Sequence, residues 1–383
     1  MSNISDLYSV AATEFLLEAS VLTERARIRV LSAMRILQDE LVREIAQFDL
    51  TTVTNNRDRR VQRLIDKYRE LVDSAFEGAA LRLSKDLGNM SIQVHRDTVD
   101  AMNEVFTVKF FKQSRTKKEL RGRIDELLVL GALIKDYWDE YKQNLVRRLS
   151  RQTRVSANSN ASTDDLISAI RGRATGRQEL VELASGRVVK RPGYHGGVLG
   201  SSKNELSKLV DNAANTTIND TMTLTHSDNA DTLKGWQALT VLDNRTSLIC
   251  ISRTGAAWDL EGNPIPGSAA KEPFPGPPPW HVRCRSRVTG LYDSWDNIYA
   301  KFSGRKRGQL NKIDNDTRDK FDGEVASEIK TGDDFLRQKG DKWAREKLGA
   351  TRFELWKAGK LSATDFLNEY GQVKAVRDLK RGV

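Results

Sequence analysis

Two cysteines in 383 residues cannot build a disulfide framework, so the chain relies on its own core and suits a reducing cytoplasm. Long apolar runs are missing too. The longest, LLVLGALI at 127–134, falls far short of the ~18 residues that cross a bilayer, and MSNISDLYSV at the start is no basic, apolar leader. No membrane partner is expected. Proline is scarce: eight in all, seven of them between 264 and 279. The first 150 residues contain none, so nothing there interrupts a helix. Charge is abundant instead. Charged residues make up 30% of the chain, the mean hydropathy is −0.53 and the net charge is +10. That balance predicts an extended, surface-rich molecule with affinity for polyanions or acidic partners, and the length allows two or three domains.

Apolar residues recur at three- and four-residue spacing through the N-terminal part. Leu22, Ile28, Leu31, Leu37, Leu41, Ile45 and Phe48 form one stripe. Val61, Leu64, Ile65, Tyr68, Leu71, Val72, Ala75 and Phe76 form a second, and Ile124, Leu127, Leu128, Ile134, Trp138, Tyr141, Leu145 and Leu149 a third. Such stripes predict an amphipathic helical arm or bundle over 1–150. Between the second and third lies KFFKQSRTKKELRGR (109–123), which carries Lys109, Lys112, Arg115, Lys117, Lys118, Arg121 and Arg123 against one Glu. Its cations could grip a nucleic-acid backbone without sequence preference while Phe110 and Phe111 stack bases. The alternative is a solvated connection whose phenylalanines face the core.

The polar stretch RRLSRQTRVSANSNAST (147–163) has the composition of a linker and marks a domain boundary. STDDLISAIRGR then opens with a helix cap, ASGRVVKRPGYHGGVLGSS reads as a loop or small hairpin, and KNELSKLVDNAANTTINDTMTLTH reads as a helix weakened by Asn and Thr. His195 has no second ligand-type residue at a metal-binding spacing. From Gly235 the pattern turns strand-like. Strands near 236–243 and 282–289 are expected to pair across the proline block, whose pre-stiffened backbone lowers the entropy cost of anchoring a long excursion. The expected fold is thus mainly α with a smaller α+β domain: a helical arm, a β-containing middle and a helical tail beyond 310.

One constellation stands apart. D-x-R-T-S-x-x-C supplies Asp243, Arg245, Thr246, Ser247 and Cys250, and H-V-R-C-R-S supplies His281, Cys284 and Arg285 after the Gly/Pro-rich insert. The two signatures, in this order, resemble the phage head-morphogenesis family typified by the F protein of phage Mu. The resemblance runs over about 163–290 and continues into 333–379, which is similar to the segment that often follows the signature. It implies a head-morphogenesis domain at 163–292 and a helical tail at 310–383. It also implies a minor capsid protein of the virion interior, made in the host cytoplasm, that meets the portal or major capsid protein and packaged DNA. Family members often carry further cysteines where Ser247 and Ser286 stand here. Cys250, His281 and Cys284, with Asp243 as an oxygen donor, offer a zinc-like ligand set. The alternative is a polar clamp in which Asp243 bridges Arg245 or Arg285 in a buried pair while the cysteines pack as small apolar groups. A non-enzymatic structural protein and a metal-dependent hydrolase or nuclease centred on Asp243, Cys250, His281 and Cys284 both follow from these residues. The first is expected, because no paired carboxylates or second histidine accompany the motif.

Overall fold

The computed structural model of the chain describes residues 4–53, 57–159, 161–183, 185–320, 330–368 and 370–381. Two long helices come first, α1 (Ile4–Ala46) and α2 (Arg59–Val105). A short α3 (Lys117–Gly122) leads to a hairpin of β1 (Leu128–Val129) and β2 (Ala132–Leu133), then α4 (Ile134–Asn158) and α5 (Thr163–Arg171). An antiparallel ribbon follows, β3 (Arg173–Glu182) with β4 (Val188–His195), and then α6 (Gly197–Ser227). The region after it holds β5 (Leu233–Leu239), α7 (Leu248–Ser252), β6 (Ala257–Asp259) and β7 (Arg287–Tyr292). Helices α8 (Trp295–Lys301), α9 (Gly304–Leu310), α10 (Asn315–Asp319), α11 (Gly332–Lys339), α12 (Asp341–Leu348), α13 (Ala350–Lys357) and α14 (Val376–Arg381) complete the chain. The fold is mainly α with small antiparallel sheets, as the periodicity predicts; part of the tail, 321–329, lies outside the described residues.

The chain forms two compact units, neither continuous in sequence. One comprises Met1–Ala19, Ser91–Leu120 and Asn215–Val383, the other Ser20–Met90 and Arg121–Ala214. The expected boundary at 147–163 falls inside the second unit, where 147–158 is the latter half of α4. Its polar composition reflects one solvated helix face, because Leu149, Thr153, Ser156 and Ala157 on the other face are buried.

In that second unit the buried stripe of α1 is Ala26, Val30, Met34, Leu37, Leu41 and Ile45, while Leu22, Ile28 and Leu31 are only half-buried. The α2 stripe matches expectation at Val61, Leu64, Ile65, Tyr68, Val72 and Phe76. Phe76 meets Trp138 edge-on at 5.8 Å, and Tyr68 Oη lies 3.1 Å from Thr153 Oγ1, which ties α2 to α4. The third stripe is not one helix. Leu130 and Gly131 both have positive φ, so the chain reverses in a two-residue hairpin turn before α4 starts at Ile134. Ser162 caps α5 reciprocally with Asp165, as the local sequence signals. The β3–β4 ribbon is longer than the small hairpin expected; β3 is exposed along most of its length, so it shows none of the alternation that betrays a half-buried strand.

In the first unit β5 is central, with β6 on one side and β7 on the other, both antiparallel. Trp236 sits opposite Trp258 and Gly290, and Leu239 opposite Arg287. The two expected strands therefore pair, with limits 233–239 and 287–292, and the insert contributes a third. Gly235 is required at this crossing: a Cβ there would lie 1.9 Å from the Trp258 carbonyl oxygen. Helix α6 tolerates its Asn and Thr content because these side chains are bonded within it. Asn219 Nδ2 donates to Asn215 O at 2.8 Å and Thr225 Oγ1 to Thr221 O at 2.8 Å. The tail helices bury Phe335, Leu336, Leu348, Phe353, Trp356 and Phe366 around Ile251 of α7.

Candidate functional site: a Cys–His–Cys cluster beside an Asp–Arg pair

The turn after β5 is built by short polar bonds. Thr246 Oγ1 donates to Val241 O at 2.7 Å and accepts from the Asp243 amide at 2.7 Å, and the Arg245 amide donates to Asp243 Oδ1 at 2.8 Å. These bonds fix the Asp243 carboxylate at the turn. Ser247 then caps α7, its Oγ accepting from the Cys250 amide at 3.3 Å, which aims the first turn of this helix at the returning chain.

The returning chain brings His281 to Arg285. The Cys284 amide donates to His281 O at 3.0 Å, and Arg283 between them has a φ of +60°, so the two side chains emerge on one side of a tight turn. Arg285 donates both guanidinium arms to Asp243, Nη1 to Oδ2 at 2.8 Å and Nη2 to Oδ1 at 2.7 Å. Of the two expected partners, Arg285 makes the side-chain pair. Arg245 Nε stands 3.8 Å away on a side chain that is 80% exposed. The pair is not buried as expected: the Arg285 and Asp243 side chains are 34% and 38% exposed. Hydrogen bonding from Arg285 holds the Asp243 carboxyl well below the usual carboxylate range, and Asp243 raises Arg285 in return.

Beside this pair three ligand-type atoms converge. Cys250 Sγ lies 3.1 Å from His281 Nε2 and 3.7 Å from Cys284 Sγ. Ser247 Oγ lies 2.7 Å from the same Nε2. His281 Nδ1 faces the Val282 carbonyl at 3.0 Å, an acceptor only, so Nδ1 carries the proton in the neutral ring and Nε2 turns a lone pair toward the sulfurs. Cys250 and Cys284 are 3% and 0% exposed. The hydrogen bond between them splits their acidities: Cys284 is pulled down by the Cys250 thiol and by His281 against its burial, and Cys250 is pushed up by Cys284 and by burial. The pair thus takes one negative charge readily and resists a second. Burial lowers His281, but the Cys284 sulfur outweighs it and the net shift is upward.

Asp243 is not part of this cluster; among the described residues the His, Cys, Asp or Glu donors meeting here are Cys250, His281 and Cys284. Both of its carboxylate oxygens accept from Arg285, so Asp243 stands in the polar pair and not among the three converging donors. The three remaining donors do fit a zinc-like ion. Two sulfurs each about 2.3 Å from a tetrahedral zinc stand about 3.8 Å apart, against 3.7 Å here. Ser247 and Ser286 both hydrogen-bond to Cys250 through their hydroxyls.

Other residues of the site were not legible in sequence. Arg287 is buried, donates to Asn215 Oδ1 at 2.8 Å and to Ser286 O at 3.0 Å, and is drawn down to about 10 by burial, with the Cys284 charge acting against that. Arg253 and Glu272 form an ion pair at 3.1 Å with side chains 3% and 8% exposed. Trp280 stacks on Arg253 at 4.6 Å, and Trp258 Nε1 donates to the Glu272 carbonyl at 2.8 Å. The proline block is therefore pinned by Glu272 and Trp280, a contact no local spacing announces. His195 ends β4, exposed and outside the cluster.

The basic segment 109–123 is divided. Phe110 and Phe111 are buried against Phe106 and each other, so they stack no bases. Arg115 is bound to Asp228 through Nε at 2.7 Å. Lys109, Lys112, Lys117 and Lys118 are exposed in the first unit, while Arg121 and Arg123 belong to the second. Among the described residues no helix is long and apolar enough to cross a membrane. No family model, curated protein or solved structure matches the chain.

Proposed function

We propose that the chain is a structural minor capsid protein of a tailed bacteriophage, acting inside the head with the portal or major capsid protein and meeting packaged DNA. The signature residues serve it as a clamp and not as an active site. The observation that carries this reading is the mutual saturation of the signature: Asp243 is held by Arg285 through two bonds, and the sulfurs of Cys250 and Cys284 are buried against each other and His281. A buried thiol pair meets no substrate, which weighs against a hydrolase built on these four residues. Its test is quantitative mass spectrometry of purified heads from the phage or prophage that encodes the chain. A few copies per head, together with portal and terminase genes beside its own, are the expected result. Absence from heads, or divalent-ion-dependent hydrolysis by purified protein that is lost in His281→Ala without loss of fold, overturns the reading.

A second reading of the same cluster is favoured by the 3.7 Å sulfur separation. Here Cys250, His281 and Cys284 hold a structural zinc-like ion, which would neutralise the thiolate charge and lock α7 to the returning chain. Near-stoichiometric metal in protein purified without added ion supports it; a metal-free protein with two titratable thiols sinks it.

A further inference from the structure

We infer that the second unit carries a binding groove for the phosphate backbone of duplex nucleic acid, formed by α2 and α4. The inference rests on the reading of the chain as one that meets DNA, and it places that contact away from the basic segment 109–123.

The groove encloses about 720 Å³ and is lined by Arg69, Lys142, Arg147, Arg151 and Arg154 against a single acid, Asp73. Its floor follows from the helix pattern. Leu145, Leu149 and Thr153 turn inward, and Arg147, Arg151 and Arg154, at spacings of four and three, fall together on the opposite face. Two of the five cations are already neutralised. Lys142 Nζ lies 3.3 Å from Asp73, and Arg69 is paired with Asp66. The three α4 arginines are exposed and face no carboxylate among the described residues, a concentration of unpaired charge that a folded protein does not need for stability.

Geometry and composition select the ligand. At ~1.5 Å per residue Arg147 and Arg154 stand about 10 Å apart along α4, the axial length of about three phosphates of one strand. Arginine presents a planar fork to phosphate oxygens. No aromatic ring lines the groove, so it offers no platform for unstacked bases, and its apolar lining is two valines, too little for the buried anchor that holds a protein partner. A duplex backbone read without sequence is the ligand class that remains.

The test is fluorescence anisotropy of the full chain with a 20-base-pair duplex, an equally long oligo(dT) and polyglutamate, across 50–200 mM salt. Three phosphate contacts give a slope of about −2.7 in log affinity against log salt, or about 40-fold weaker binding over that fourfold range. The triple variant Arg147→Gln/Arg151→Gln/Arg154→Gln is expected to lose this part of the salt dependence with an unchanged melting curve, and the corresponding Lys variant to keep it. Variant Lys112→Gln/Lys117→Gln/Lys118→Gln should bind as wild type. The groove is overturned if the arginine triple variant keeps the wild-type slope, if only the lysine set matters, if no duplex binding occurs, or if polyglutamate competes equally. A chain found in heads that fails this assay sinks the groove alone. A chain absent from heads with groove-dependent binding sinks the capsid reading alone.

Discussion

Glu272 Oε1 lies 3.1 Å from Nε of Arg253, with both side chains almost wholly removed from water. The ion pair that closes the proline excursion is this one, and removing one partner leaves the other charge buried and uncompensated. Glu272→Ala is expected to cost ~3–5 kcal/mol. Asp243→Ala removes a half-exposed bidentate pair and is expected to cost only ~1–2 kcal/mol. Urea unfolding of the two variants checks the order, and a costlier Asp243→Ala would reverse it.

The Asp243–Arg285 pair sets an acid dependence. The folded-state carboxyl titrates below its unfolded value of ~3.9, so its contribution is complete above about pH 4 and is lost as pH falls through the folded value. Wild type and Asp243→Asn should therefore differ in melting temperature at pH 7 and converge as the solution is acidified below pH 4. A difference that grows on acidification would contradict the assignment.

Alkylation reports on the thiols. With both sulfurs buried, native protein should react with iodoacetamide far more slowly than urea-unfolded protein. Cys250→Ala should leave Cys284 without the thiol hydrogen bond that lowers it. Its thiolate absorbance should then appear at higher pH than in wild type. Rapid native alkylation would place the cluster at the surface.

Two glycines separate backbone crowding from helix entropy. Gly235→Ala drives a Cβ into the Trp258 carbonyl and is expected to cost ~1–3 kcal/mol or more, because a backbone atom must shift. Gly78 lies inside α2 with nothing near its virtual Cβ, so Gly78→Ala should stabilise by ~0.5–1 kcal/mol. Thermal melts of the two variants should move in opposite directions.

Interactions within a few residues were readable directly from the sequence. The spacing of Val61, Ile65, Tyr68, Val72 and Phe76 specifies a helix face, Ser162 with Asp165 specifies a helix start, and Gly235 marks the change to strand, because each depends on bonds that neighbours along the chain make or forbid. Even the pairing of β5 with β7 was legible, since a stiff insert between two strand-like runs leaves few other solutions. What only the tertiary structure decided are the choices among distant partners of equal chemistry. Asp243 takes Arg285 and not Arg245, because the strand register of β7 brings the former guanidinium to the carboxylate while the latter projects into solvent. The 147–158 stretch is helix and not linker because its short residues are buried, and 128–133 is a hairpin because Leu130 accepts a positive φ that its own propensity opposes. Glu272 and Arg287 look like surface charges in sequence and are buried in the fold. Their partners lie 19 and 72 positions away, and burial of that kind is fixed by packing at a distance that no local period records.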